Sequence, residues 1–161
     1  MKPFCSGGAA DVDLIQAIQG NNPARDEVNP FYFPEPLAPL VAARKARRRI
    51  RLPKVLRAIG RVEKRCERLI VEGSGGLLVP LGEGFTVADV IANLGCDVVV
   101  VGKNKLGIIN HTLLTVEALR ARGVAQIKVV LMGQSSADIS AQNNAAILEE
   151  ILVNIEVLAI P

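Results

Sequence analysis

Near-continuous runs of apolar and β-branched residues constrain this chain most. Cys96 to Val101 contains four valines in a row and ends at Gly102, and Ile127 to Met132 is a second such run. Leu69-Ile70-Val71, ending at Glu72, and Val157 to Ile160 are shorter ones. Runs of this kind read as strands buried on both faces, the habit of parallel sheets. Helical patterns lie between them. Thr86 is placed to cap a helix over about Val87 to Leu94, and Ile108 to Arg122 has helical apolar spacing with Gly123 as its stop. A third helix is expected over Ile139 to Val153. Strand and helix alternate, so the expected class is α/β, a doubly wound, mostly parallel sheet with flanking helices.

The first 65 residues are less regular. Lys2 to Cys5 reads as a strand and Val12 to Ile18 as a short helix after Asp11. Asn21 to Pro39 holds five prolines and reads as loop, while Pro39 and Pro53 each suit the first turn of a helix. No internal repeat or dividing linker is visible, and residues 1–161 are expected to form a single domain.

Composition narrows the function classes. Aromatic residues make up 3% of the chain and Trp is absent, which argues against an aromatic platform for stacking bases. No apolar run reaches the ~20 residues of a membrane helix and no signal-peptide core is seen, so no membrane partner is expected. Cys5, Cys66 and Cys96 are widely spaced and odd in number, which suits a reducing, cytoplasmic setting better than a zinc site or disulfide framework. The net charge of +3 hides an asymmetry. Arg44 to Arg68 carries twelve Lys/Arg against Glu63 and Glu67, a local charge of +10. Such a run is more often a solvated helix face than a nucleic-acid site, so nucleic acid is not an expected partner.

Three segments sit where strands of an α/β sheet end, the usual place for ligands. Val71-Glu72-Gly73-Ser74-Gly75-Gly76 puts a carboxylate before a glycine turn, suited to Mg²⁺ and to backbone N–H contact with phosphate. Lys105-Leu106-Gly107-Ile108-Ile109-Asn110-His111 passes from a loop into a helix start, a natural anion site. His111 is the only histidine, better read as a capping or packing residue than as a general base. Lys2 to Gly8, followed by Asp11, offers a cation, the Ser6 hydroxyl and a carboxylate. Neither G-x-x-x-x-G-K-[ST] nor G-x-G-x-x-G occurs.

Together these segments resemble the ATP-dependent dethiobiotin synthetase family. Lys2 to Gly7 is similar to its K-P-x-x-S-G, and Asp11 to Leu14 to its D-A-x-x-L. Val28 to Phe33 and Glu35 to Pro39 resemble its V-N-P-Y-x-F and Pro-rich helix start. Val71 to Gly76 with Pro80-Leu81 matches V-E-G-A-G-G…P-L, and Lys105 to His111 with Leu113-Leu114-Thr115 matches K-L-G-x-I-N-H…L-L-T. Leu158 to Pro161 resembles the strand ending in I-P near the nucleotide base.

The resemblance implies a P-loop NTPase-like fold and Mg-ATP-dependent joining of CO₂ to 7,8-diaminopelargonate, closing the urea ring of dethiobiotin in biotin biosynthesis. It implies Lys2 as the catalytic cation and Ser6 as a substrate contact. It places Asp11 and Glu72 at Mg²⁺, with Gly73, Ser74 and Gly75 beside ATP. Gly107, Ile108, Ile109 and Asn110 would take the substrate carboxylate across a homodimer interface. Departures from the family are also plain. Its first strand, phosphate loop and following helix precede the K-P-x-x-S-G strand, whereas Met1 here stands directly before Lys2. Met132-Gly133 replaces the adenine-reading Asn-Asp, Ala38 and Leu40 stand in place of Ser and His, and the chain stops at Pro161. Two readings follow: a dethiobiotin synthetase, or a pseudoenzyme without the phosphate loop that binds substrate or a partner subunit without ATP turnover.

Overall fold

The computed structural model describes residues 1–20, 23–135 and 139–161. Asn21 and Asn22, in the expected loop, lie outside the described residues. The class is α/β with parallel strand pairing, in two compact units, Met1–Leu94 and Gly95–Pro161.

The first unit begins with β1 (Phe4–Ser6), which pairs in parallel with β2 (Phe31–Phe33). Between them lie α1 (Ala10–Ile18) and α2 (Arg25–Val28). The proline-rich segment is therefore not all loop: Phe31 and Phe33 are buried at strand spacing, and their burial overrides the flanking prolines. Asp11 and Asp13 stand in the first turn of α1, where negative charge suits the helix dipole. Both prolines expected to open helices do so, in α3 (Pro39–Lys45) and α4 (Leu52–Glu63). On α4, Val55, Ala58 and Ile59 are buried. They join Phe4, Phe31, Phe33, Leu81, Phe85 and Val90 in one core, where the Phe4 and Phe31 rings stack at 4.9 Å.

The strand expected at Leu69–Val71 is absent. Ile70 is 84% exposed, and pairing is confined to Met1, whose nitrogen donates to the Ile70 carbonyl (2.6 Å) and whose carbonyl accepts from Glu72 (2.9 Å). Those two bonds follow the parallel pattern but bring too few residues alongside to make a strand. They still fix Glu72 beside the start of the β1 segment. The unit ends with the antiparallel pair β3 (Pro80–Gly82) and β4 (Phe85–Thr86), then α5 (Val87–Leu94). Thr86 stands just before α5 as expected, and its N–H and hydroxyl both donate to Asp89 Oδ2 at 2.7 Å, the carboxylate half of a capping box.

In the second unit β5 (Val98–Lys103), β6 (Ile127–Met132) and β7 (Glu156–Ile160) form a parallel sheet in that order. The connections are α6 (Ile108–Arg120), a 3₁₀ turn at Ile139–Gln142, and α7 (Asn144–Ile151). The single helix expected over Ile139 to Val153 is thus broken near Asn143. Right-handed crossovers between strands added in sequential order put α6 and α7 on one face of the sheet. That face buries Ile127, Val129, Leu131 and Val157 with Val116, Leu119 and Leu148. The other face carries Val99 and Val101, which are 57% and 62% exposed, so β5 is not buried on both faces as its composition suggests. Among the described residues no helix is long and apolar enough to cross a membrane.

Candidate functional site

The sequence-expected residues divide between the two units. In the first, extended chain carries Lys2 into β1, and Lys2 is only 9% exposed. A buried ammonium needs partners, because desolvation penalises its charge. Lys2 finds two. Its Nζ donates to Asp11 Oδ2, in the first turn of α1, and to Glu72 Oε1 at 2.6 Å, in the turn after the Met1 contact. Burial lowers the Lys2 pKa, but the hydrogen bonds and charges of Asp11 and Glu72 outweigh it, so the group sits above the ordinary lysine value. Lys2 is therefore a fixed cation at neutral pH and not a proton acceptor. The Lys2 backbone is anchored as well, its N–H bonding the Val28 carbonyl and its C=O accepting from Asn29 Nδ2 (2.7 Å).

Asp11 and Glu72 keep about half or more of their side-chain surface. Lys2 occupies one oxygen of each, leaving Asp11 Oδ1 and Glu72 Oε2 open to an incoming ligand. Two carboxylates with room for waters and phosphate oxygens match the usual Mg²⁺ donor set, so the residues fit that ion. Among the described residues no group of three His, Cys, Asp or Glu gathers for a metal.

Ser6 closes β1, and its hydroxyl is the one buried side-chain N or O atom without a partner among the described residues. Such an orphan costs ~1–3 kcal/mol unless a ligand or water satisfies it. Gly7 follows at φ 87°, its carbonyl accepting from Tyr32 Oη at 3.0 Å, so the loop beyond β1 is held. Gly73, Ser74 and Gly75 form an irregular turn after Glu72. Gly75 has φ 73°, and a Cβ there would lie 3.0 Å from Val79 Cγ2. The turn thus requires glycine for conformation and for space.

In the second unit, Gly107 begins α6 at φ 92° with no side-chain cap. The Ile108 side chain is buried and its N–H already donates to the Lys105 carbonyl (3.1 Å), so this group of the expected anion site is occupied. Ile109 is half-buried and Asn110 exposed in the same first turn. His111 differs from expectation: its side chain is exposed rather than packed. Two residues went unnoticed in the sequence. Asn104 and Asn144 are buried and joined by a 2.8 Å hydrogen bond, and Asn104 Nδ2 also donates to the Ala141 carbonyl (3.0 Å). Only the fold brings them together, 40 positions apart. Asn104 borders a cavity of about 540 Å³ that is also lined by Gly133, Gln134, Ile160 and Pro161, at the carboxyl ends of β6 and β7.

A family profile described as an AAA domain matches residues 1–160. An ATP-dependent dethiobiotin synthetase of Methanococcus vannielii is 37% identical over 131 residues, 81% of this chain and 62% of that protein. One of an Anaeromyxobacter species is 43% identical over 135 residues, covering 81% and 60%. That of Bacillus subtilis strain 168 is 34% identical over 156 residues, covering 93% and 68%. The chain belongs to the dethiobiotin synthetase family. Its fold class is accordingly that of the P-loop NTPases. The chain spans about three fifths of the length of the first two relatives. Family membership gives the Lys2–Asp11–Glu72 cluster a chemical context.

Proposed function

We propose that this chain serves dethiobiotin formation: Mg-ATP-dependent carboxylation of 7,8-diaminopelargonate by CO₂, followed by ring closure. The observation that carries this reading is the buried Lys2 ammonium held between Asp11 and Glu72. In the reaction implied by the family, one amine of the substrate adds to CO₂ and loses a proton, giving a carbamate. The carbamate oxygen takes the γ-phosphoryl group of ATP, with ADP leaving. The second amine then attacks the carbamoyl carbon and loses a proton, inorganic phosphate leaves with its electron pair, and the cyclic urea remains. Negative charge accumulates on the carbamate and its phosphorylated form, where a preorganised cation stabilises most. Lys2 supplies that cation without proton bookkeeping.

Ser6 offers its unsatisfied hydroxyl to the substrate. In a homodimer the helix start at Gly107 to Asn110 takes the substrate carboxylate through groups other than the Ile108 N–H, which the Lys105 carbonyl holds, and the glycine turn at Gly73 to Gly75 flanks ATP. Asp11 and Glu72 would hold Mg²⁺, which when bound would neutralise charge on the phosphates. The setting is cytoplasmic. A second reading, binding without turnover, draws support from Met132-Gly133 in place of the family's Asn-Asp.

One experiment separates the readings. The full chain is incubated with diaminopelargonate, bicarbonate and Mg-ATP, while calorimetry follows diaminopelargonate binding. Dethiobiotin and phosphate in equal amounts support the enzyme. Substrate binding without product supports the second reading. Neither product nor binding overturns both.

A further inference from the structure

Helix α4 has a face that none of this chemistry uses. We propose that Lys54, Arg57, Arg61 and Lys64 form a binding site for the phosphodiester backbone of nucleic acid, gripped without regard to sequence. The four residues recur at spacings of three, four and three, so they line one side of the helix over about 15 Å. The buried Val55, Ala58 and Ile59 occupy the opposite side. With Gly60 the four cations line a cleft of about 520 Å³.

Two independent observations point outward. First, among the described residues no acid pairs with any of the four cations; the Lys54 ammonium has only the face of the Phe31 ring, 6.0 Å from its centroid. Nearby Arg44, Lys45 and Arg65 are instead each tied to a glutamate, Glu83, Glu35 and Glu27. Lys54 with Arg57, Arg57 with Arg61, and Arg61 with Lys64 are like-charge neighbours on the helix, an arrangement that weakens it unless an anion intervenes. Second, Gly60 stands inside the helix although nothing lies within 4 Å of where its Cβ would be. No packing demand explains the glycine, which lowers helix stability. Its effect is to leave the surface open beside Arg57, Arg61 and Lys64, so that a bulky anion can approach.

The length of the stripe selects the anion. A strand of duplex places a phosphate about every 3.4 Å along the axis, so ~15 Å meets about four of them. A compact triphosphate is too short to engage the whole row. Guanidinium groups suit phosphate oxygens by forked hydrogen bonding. The stripe consists of cations alone, with no aromatic side chain on which bases could stack, which points to the phosphate backbone as the target.

The test is fluorescence anisotropy of the full chain with a labelled 20-base-pair duplex from 25 to 300 mM NaCl. The expected result is binding whose log affinity falls against log salt with a slope near −3.6, about 0.9 per phosphate. The variant Arg57→Glu/Arg61→Glu should lose at least ten-fold in affinity and about half the slope. Arg57→Gln/Arg61→Gln, with helicity checked by circular dichroism, covers the case in which charge reversal impairs folding. No binding at 25 mM NaCl, or equal binding by both variants, overturns the proposal. So does capture only by vesicles containing phosphatidylserine, which would make the face a membrane contact. Displacement of duplex by tripolyphosphate at equal phosphate concentration would also overturn it, because a compact anion would then suffice.

Discussion

Lys2 illustrates how one residue is fitted for a task that its type alone does not specify. Folding gives its ammonium two carboxylate partners and holds its pKa above the ordinary lysine value, after burial alone would lower it. A raised pKa means that the folded state favours the proton. The associated stability is present below the unfolded lysine value near 10.4 and is lost as pH rises through the folded value. Lys2→Met should therefore flatten the alkaline limb of a denaturation-versus-pH profile above about pH 10.4. A limb identical to the parent's would show that the cluster adds nothing to folding. The same variant should abolish dethiobiotin formation, and Glu72→Ala should abolish any Mg²⁺-dependent ATP turnover, both read by phosphate release. Ser6→Ala should act in the opposite sense on stability. Removing an unsatisfied buried hydroxyl is expected to leave the fold unchanged or raise its stability by up to ~1 kcal/mol while weakening diaminopelargonate binding. A loss of stability in urea would show that the hydroxyl is already satisfied.

Elements show where local rules suffice and where burial overrides them. The start of α5 is written in Thr86 and Asp89, and Asp89→Ala should cost ~1 kcal/mol in urea denaturation by stranding the Thr86 donors. Gly107 is a similar local feature: at φ 92° an alanine adopts a left-handed conformation costing ~1–2 kcal/mol. Gly107→Ala should lower stability by that amount, and an unchanged urea midpoint would mean that α6 starts elsewhere. β2 was not legible in this way. Phe31-Tyr32-Phe33 lies between prolines that announce a loop, and only alignment with β1 makes it a strand. Leu69–Val71 errs in the other direction. Its composition is that of a strand, yet only Met1 lies beside Ile70 to accept and donate hydrogen bonds. Strand identity belongs to a pair, and one sequence segment specifies half of it.

Across the whole molecule, the proposed homodimer gives a prediction that light scattering checks: a mass of about twice 17.2 kDa at micromolar concentration. A monomer at that concentration would remove the basis for substrate binding across an interface. The α/β class, the bounds of β6 and the bounds of α5 were legible because apolar runs, hydrophobic periodicity and capping are local signals. Exposure of one face of β5 was not, because four consecutive valines carry no mark of which face the helices cover. Strand order and crossover hand decide that. The site divides along the same line. By its order of residue types, the sequence determined that Lys2, Ser6, Asp11 and Glu72 are candidates for anion and metal chemistry. The tertiary structure alone decided that Lys2 lies between Asp11 and Glu72, the latter 70 positions from Lys2, and that Asn104 meets Asn144. Residue type sets what a side chain can donate or accept; distance sets whether it does, and distance between remote positions exists only once the chain has folded.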